Sequence, residues 1–140
     1  MKKTIEIVSE RNSIFRQRVQ IAGFEDLHVD VPRAFGGEGS APDPHDYFDL
    51  SLGACKAITA QMYAQRKQWP LEGISVKVNR DDSEERKGTY RLEVVMIFHG
   101  IEDEEQRARL EEISHKCPIH RLMTSSTVEV TTRTADVTEA

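Results

Sequence analysis

The two cysteines are the residues of this 140-residue chain most able to do chemistry. Cys55 lies in the stretch Leu-Gly-Ala-Cys-Lys-Ala, in the most apolar part of the sequence. Free cysteine is among the most buried residue types, so a plain packing role is the simplest interpretation of Cys55 taken alone. Burial also disfavours the thiolate, which is the nucleophilic form, unless a positive charge lies nearby. A reactive Cys55 therefore requires a buried cation.

Cys117 stands in a different setting, directly before Pro118 at a predicted helix start. The unpaired N–H groups and the dipole of a helix N-terminus stabilise a thiolate. Further positive or potentially positive charge is contributed within about one turn by His115, Lys116, His120 and Arg121. From the residues alone, Cys117 is open to two interpretations: a reactive thiol, or a cap residue that fills a small gap.

Two motifs could bind a cofactor, one a metal ion and the other a dinucleotide, and the surrounding sequence disfavours both. The segment His115 to His120 contains H-x-C-x-x-H, a spacing that could hold a metal with Cys55 as fourth ligand. Structural zinc sites usually show two close ligand pairs, however, and this sequence has one such cluster. The glycines in Gly36-Gly37-Glu38-Gly39 lead into a loop with two prolines instead of a helix, which disfavours a dinucleotide-binding fold.

Composition excludes several classes of function. Nineteen Lys and Arg against 24 Asp and Glu give a net charge of −5 without a dense basic block, so nucleic-acid binding is disfavoured. No apolar stretch approaches the roughly 20 residues of a membrane span, and no apolar leader follows Lys3, so we expect a cytoplasmic protein without a membrane partner. The length predicts one domain over residues 1–140.

The elements that must position the cysteines follow from the spacing of apolar residues. Period-2 alternation predicts strands over 3–8, 14–21, 26–31, 73–80, 89–99 and 127–133. Helical spacing and cap residues predict helices from Pro44 to about Gln68, over 102–116 and over 117–123. Leu50 to Met62 is apolar on most sides, which is typical of a buried central helix. The order βββ-α-ββ-α-α-β predicts an α+β fold with antiparallel sheet wrapped around that helix.

Several motifs together resemble the OsmC/Ohr family of thiol peroxidases. They are the glycine loop, Pro42-Asp43-Pro44, Leu50-Ser51-Leu52-Gly53-Ala54-Cys55, and Lys116-Cys117-Pro118 with Leu122. The resemblance covers most of the chain, and the cysteine pair makes it specific: one cysteine on a central helix, the other in a Cys-Pro pair 62 residues later. It implies a homodimer of intertwined α+β subunits with active sites at the dimer interface.

The resemblance also implies roles for the two thiols. Cys55 would be the peroxidatic thiol that attacks the O–O bond of an organic hydroperoxide. Cys117 would be the resolving thiol that captures the resulting sulfenic acid as a disulfide. A dithiol reductant would close the cycle, and no bound cofactor is required.

A guanidinium held by a carboxylate would supply the cation that Cys55 needs. Arg16 and Arg18 share one face of the second predicted strand and are the natural donors. The activating arginine of the family also comes from the N-terminal region. We favour Arg16.

The partner carboxylate is the point at which this sequence departs from the family. In the peroxidase branch a glutamate follows Asn-Pro at the start of the central helix, ten residues before the cysteine; this chain has His45 there. We expect Asp46 or Asp49 to take the place of that glutamate. The same departure favours the alternative function, a small-molecule or partner-binding dimer of this fold with little or no peroxidase turnover.

Overall fold

The computed structural model describes residues 2–139 of the chain. Its strands are β1 (Ile5–Ser9), β2 (Gln17–Ile21), β3 (Phe24–Val29), β4 (Gly73–Asp81) and β5 (Arg91–His99). Its helices are α1 (Pro44–Lys67), α2 (Glu104–Ser114) and α3 (Pro118–Ser125). β1, β2 and β3 form one antiparallel sheet, and β4 and β5 form another. The predicted α+β fold class is confirmed.

The first sheet is formed by the first three predicted strands, which are shorter than the alternation suggests. β1 pairs with β2 from Ile5 opposite Ile21 to Ser9 opposite Gln17. β2 starts later than the alternation suggests because Ser13 organises a turn before it. The Ser13 hydroxyl donates to the Glu10 carbonyl at 2.9 Å and accepts from the Arg16 N–H at 3.1 Å. These local hydrogen bonds replace strand pairing up to Arg16.

The glycine-rich loop after β3 is held against a buried carboxylate. Asp30 accepts the N–H of Val31 at 2.7 Å and the N–H of Ser40 at 3.0 Å, and the Ser40 hydroxyl donates to it at 2.5 Å. A Cβ added at Gly37 would lie 2.0 Å from the Val31 carbonyl oxygen. Glycine is required there because the backbone approaches so closely.

Helix α1 begins and ends where its cap residues predict. The N–H of Asp46 donates to the Asp43 side chain at 2.8 Å, and the N–H of Asp43 donates to the Asp46 side chain at 2.9 Å. This reciprocal pair has the form of a capping box, with Pro44 at the first helical position. The helix ends at Lys67, and Gln68 takes a left-handed conformation with φ of 57° before Trp69-Pro70.

Two opposite rows of side chains run along α1. The buried row is Leu52, Lys56, Ala60 and Ala64. The opposite row is exposed, and in it Leu50, Ile58 and Met62 are each more than half accessible to solvent. Because 3.6 residues make a turn, residues two apart lie on opposite sides of a helix. The expected burial on most sides is therefore wrong for the single chain, since only one side is covered.

The chain divides into two compact units. The first contains residues 2–53 and Lys77–Val95, and the second contains Ala54–Val76 and residues 96–139. The core of the second unit is formed by Ala60, Ala64, Ile101 and Leu110. Partly buried side chains pack around it from Tyr63, Trp69, Leu71, Ile74, Met96 and Phe98. Within this unit, α1 and α2 bring their helix faces to a shared apolar centre.

The last predicted strand is wrong. Residues 126–136 have no regular secondary structure, and both Val128 and Val130 are exposed. Alternation identifies side chains that could share a face, but a strand also needs a neighbouring strand to hydrogen-bond with. No strand among residues 2–139 pairs with this segment.

Candidate active site

Cys117 lies at the junction between α2 and α3. It is the N-cap of α3, with Pro118 at the first helical position, and its sulfur accepts the N–H of His120 at 3.3 Å. Its side chain is fully buried. The predicted position at a helix start is confirmed, so Cys117 is a cap residue whose sulfur faces unpaired helix N–H groups.

Cys55 and Cys117 are both free thiols of the second unit, and they lie close enough for the ionisation of Cys117 to depend on Cys55. Burial raises the pKa of the Cys117 thiol, the His120 N–H lowers it, and the neighbouring Cys55 thiol raises it again. Cys55 is half-buried whereas Cys117 is inaccessible. Two thiols that are far apart in the sequence therefore lie near each other, and Cys55 is the more exposed residue of the two.

The cation beside the thiols is Lys56, which the sequence interpretation missed. Its side chain is only 4% exposed. Its Nζ donates to the Ser114 carbonyl oxygen at 3.1 Å and hydrogen-bonds His120 Nδ1 at 3.0 Å. Burial lowers the pKa of Lys56, and the charges of Cys117 and Cys55 oppose that shift. The available signal was a lysine next to the cysteine in an otherwise apolar helical segment, since lysine is rarely buried without partners.

His120 faces the lysine as a hydrogen-bond acceptor. An ammonium can only donate, so Nδ1 of His120 must carry its lone pair toward Lys56, which places the ring proton on Nε2. Burial lowers the pKa of His120, as do the nearby charges of Lys56 and His115. The imidazole is therefore held in its neutral form.

Arg16 has its own partners in the first unit. Its Nη1 donates to the Ser40 hydroxyl at 2.7 Å, and its Nε pairs with Glu10 at 3.2 Å. Arg18 is an exposed residue of β2 opposite Val8. The role of Arg16 as the activating cation stays a prediction.

Asp46 and Asp49 do hold a guanidinium, but it belongs to Arg80. Arg80 Nε donates to Asp49 Oδ2 at 2.6 Å, and its Nη2 donates to Asp46 Oδ1 at 2.7 Å. The Tyr90 hydroxyl donates to Asp49 Oδ1 at 2.7 Å. Burial, reinforced by this bond to Asp49, raises the pKa of Tyr90 to about 12. Arg80 was missed because its contacts join residues more than 30 positions apart.

His45 occupies a surface ion pair. Its Nε2 lies 2.9 Å from Glu85 Oε1, and the hydrogen bond to Glu85 raises the pKa of His45. A cavity of about 370 Å³ next to this pair is lined by Pro44, His45, Phe48, Glu85 and Tyr90. The aromatic rings give it an apolar wall, and the ion pair gives it a polar edge.

Residues 2–139 contain no group of three or more His, Cys, Asp and Glu side chains placed to hold a metal ion. Among the same residues, no helix has the length and apolar character needed to cross a membrane.

Comparisons with known proteins agree on one family and fold. A family model described as OsmC-like protein matches residues 37–133. The structure of a protein from Psychrobacter arcticus 273-4 matches with a TM-score of 0.74 at 16% identity, over 89% of this chain and 90% of that one. An OsmC like protein from Mycoplasma pneumoniae matches with a TM-score of 0.70 at 18% identity, over 89% of each chain.

A third similar structure carries a functional description. It is an organic hydroperoxide resistance protein OsmC from Legionella pneumophila, with a TM-score of 0.64 at 21% identity over 89% of this chain and 90% of that one. A comparison with curated protein sequences finds no significant match. At these identities the structural likeness establishes the fold.

Proposed function

The chain belongs to the OsmC-like family, and from that premise we propose that it is a thiol-dependent peroxidase that reduces organic hydroperoxides. One observation carries the proposal: Cys55 and Cys117 are neighbouring free thiols with a buried lysine beside them. A packing role for two cysteines would not require a charged group in the same apolar environment. A cytoplasmic location, where thiols stay reduced, is part of the proposal.

The unequal exposure of the thiols supports the assignment of their roles. Cys55 is half-buried, so a hydroperoxide can reach its sulfur, whereas Cys117 is closed to solvent. Cys55 loses its proton to solvent and attacks the peroxide. The S–O bond forms as the O–O bond breaks, and the departing alkoxide takes a proton from water. The sulfur is oxidised to a sulfenic acid, and the peroxide is reduced to an alcohol.

The second step uses the contact between the thiols. The Cys117 sulfur attacks the Cys55 sulfenic acid, which forms the disulfide and releases water that carries the Cys117 proton. An external dithiol reductant restores both thiols. Arg16 and Asp46 stay predicted participants in the ionisation of Cys55, with substitution of each as the check.

The experiment is consumption of cumene hydroperoxide with a dithiol reductant. We expect turnover by the native protein and none by Cys55→Ser, because serine cannot form the thiolate. Equal rates for these two proteins would end the proposal. In Cys117→Ser, one equivalent of peroxide should leave a Cys55 sulfenic acid that a dimedone label captures. Oxidised native protein should lose both free thiols and form an intrachain disulfide, and persistence of both thiols would contradict the role of Cys117.

We also propose that the active form is a homodimer. The exposed row of α1 presents Leu50, Ile58 and Met62, and a second copy would remove these apolar side chains from water. Ile58→Glu combined with Met62→Glu should then give a monomer in sedimentation analysis. Ala108→Glu, an exposed change on α2 instead of α1, should leave the dimer intact. A native protein that sediments as a monomer at micromolar concentration would contradict this part of the proposal.

The alternative function is a small-molecule or partner-binding dimer with little turnover. It is favoured by His45, which replaces the glutamate of the peroxidase branch and is engaged with Glu85 beside the 370 Å³ cavity. The two functions differ in their effect on the thiols. Saturable binding of a small molecule without any peroxide-dependent loss of thiols would support the binding protein over the peroxidase.

A further inference from the structure

Lys56 is a buried charge without a buried counter-charge. Its hydrogen-bond partners are the Ser114 carbonyl and His120 Nδ1, both neutral. Among residues 2–139, no carboxylate is ion-paired with Lys56, whereas Arg16, Arg80 and Arg91 each have a carboxylate partner. An ammonium removed from water is costly unless an anion or several hydrogen bonds compensate it.

The groups able to become anions beside Lys56 are the two thiols. Cys55 adjoins it on α1, Cys117 caps α3, and both act on Lys56 through their charge. The remaining titratable group against it is His120, with His115 behind that ring at a centroid separation of 5.9 Å. Both imidazoles can only be neutral or positive. A thiolate is therefore the one available counter-charge for the lysine.

The hydrogen bonds of Lys56 fix where its charge sits. The Ser114 carbonyl belongs to the last residue of α2, where helix carbonyls lack intrahelical partners. His120 lies in the first turn of α3, and its backbone N–H already contacts the Cys117 sulfur. One residue thus touches the thiol with its backbone and the lysine with its ring. Two of the three ammonium donors are occupied by these partners, and the third is available to an anion beside it.

We propose that Lys56 is the cation that ionises the Cys55 and Cys117 thiol pair, and that His120 is a positioning residue whose neutral imidazole holds Lys56 in place. The proposal rests on the proposed function, because it supplies the charge that the thiol chemistry needs. It assigns to a lysine from α1 the role that sequence reasoning gave to an arginine. Protonation of His120 turns its ring from an acceptor into a second cation facing Lys56, so low pH weakens the arrangement.

The test measures thiol ionisation without any peroxide. The rate of iodoacetamide alkylation of Cys55, resolved by mass spectrometry, is followed from pH 5 to 10 in the reduced full-length protein. Lys56→Met keeps the length of the side chain and removes the charge. We expect about a tenfold lower rate at pH 7 and a profile moved up by about one pH unit, since one unit corresponds to a tenfold change in ionised fraction. Lys67→Met, an exposed change on the same helix, should reproduce the native profile.

His120 is tested by two replacements. Asparagine places an amide oxygen near the position of Nδ1 and does not titrate, so His120→Asn should keep the native rate at pH 7. Its rate should fall less steeply than the native rate at low pH, because only protonation of the thiolate remains. Leucine has no acceptor, so His120→Leu should resemble Lys56→Met. Identical profiles for all variants and the native protein would overturn the proposal. Lys56→Gln repeats the charge removal with a polar side chain, and thermal melting confirms that each variant is folded.

The alkylation readout separates this inference from the proposed function. A shifted profile for Lys56→Met together with absent hydroperoxide turnover would retain the lysine as the ionising cation and reject the peroxidase. Normal turnover with an unshifted profile would retain the peroxidase and reject the lysine. In that second case, an Arg16→Met variant with the lower alkylation rate would return the role to the arginine.

Discussion

Replacement of Asp49 by alanine should cost about 3 kcal/mol of unfolding free energy. The Asp49 side chain is 9% exposed and accepts two short hydrogen bonds, from Arg80 Nε at 2.6 Å and from the Tyr90 hydroxyl at 2.7 Å. Removal of one member of a buried ion pair typically costs about 3–5 kcal/mol. The lower end applies because Arg80 is 26% exposed and keeps its contact with Asp46.

The neighbouring carboxylate provides the matched control. The Asp46 side chain is 49% exposed, so its ion pair with Arg80 is screened by water, and its other contribution is the cap at Asp43. Asp46→Ala should therefore cost about 1 kcal/mol. A change of 1 kcal/mol moves the melting temperature of a domain of this size by roughly 4 °C. The expected shifts are about 12 °C for Asp49→Ala and about 4 °C for Asp46→Ala.

Thermal melting at neutral pH, supported by urea denaturation, measures the difference between the two variants. Equal shifts would refute the reasoning, because they would mean that burial does not set the strength of these contacts. The same proteins also test the predicted catalytic role of Asp46. Loss of hydroperoxide turnover in Asp46→Ala at a temperature where the variant is folded would support that role, and native turnover would count against it.

Two further predictions concern pH and backbone packing. The pKa of His120 lies below its ordinary value of 6.5 in the folded chain. As the pH falls, this imidazole is therefore protonated in the unfolded chain before it is protonated in the folded chain. The free energy of unfolding should thus decrease below about pH 6.5. His120→Asn should reduce that decrease in urea denaturation series at pH 5 and pH 8, and equal pH dependence would contradict it. Gly37→Ala should destabilise the protein by several kcal/mol or prevent folding, because its Cβ would lie 2.0 Å from a carbonyl oxygen. Gly73→Ala, with no atom within 4 Å, is the control for melting measurements.

The first helix was predictable because its boundaries are set locally. Asp43, Pro44 and Asp46 form the N-terminal cap among themselves, and Trp69-Pro70 opposes continuation at the other end. Such signals need no tertiary partner. The exposed row of α1 was not predictable in this way. The apolar content of Leu50 to Met62 indicates that these side chains could be buried, but it does not identify the surface that would bury them.

The prediction of the final strand was wrong and Arg80 was missed for a related reason. Residues 127–133 have the alternation of a strand, but pairing depends on a neighbour that the segment itself does not specify. Arg80 reaches Asp49 across 31 positions in sequence. The sequence analysis considered Arg16 and Arg18 as partners for a carboxylate on α1, and nothing in the position of Arg80 along the chain pointed to it.

The choice of lysine at position 56 changes what the thiol pair can do. A guanidinium stays charged under all ordinary conditions, so an arginine beside a thiol stabilises the thiolate without giving up a proton. An ammonium whose pKa is lowered by burial can lose its proton. Lys56 and Cys117 therefore have a charged combination, an ammonium with a thiolate, and a neutral combination, an amine with a thiol. Burial favours the neutral combination, and the hydrogen bonds that Lys56 donates to Ser114 and His120 favour the charged one. The balance between these two combinations makes the reactivity of the thiols depend on His120. An arginine at position 56 would stay charged, so the reactivity would not depend on His120 in this way.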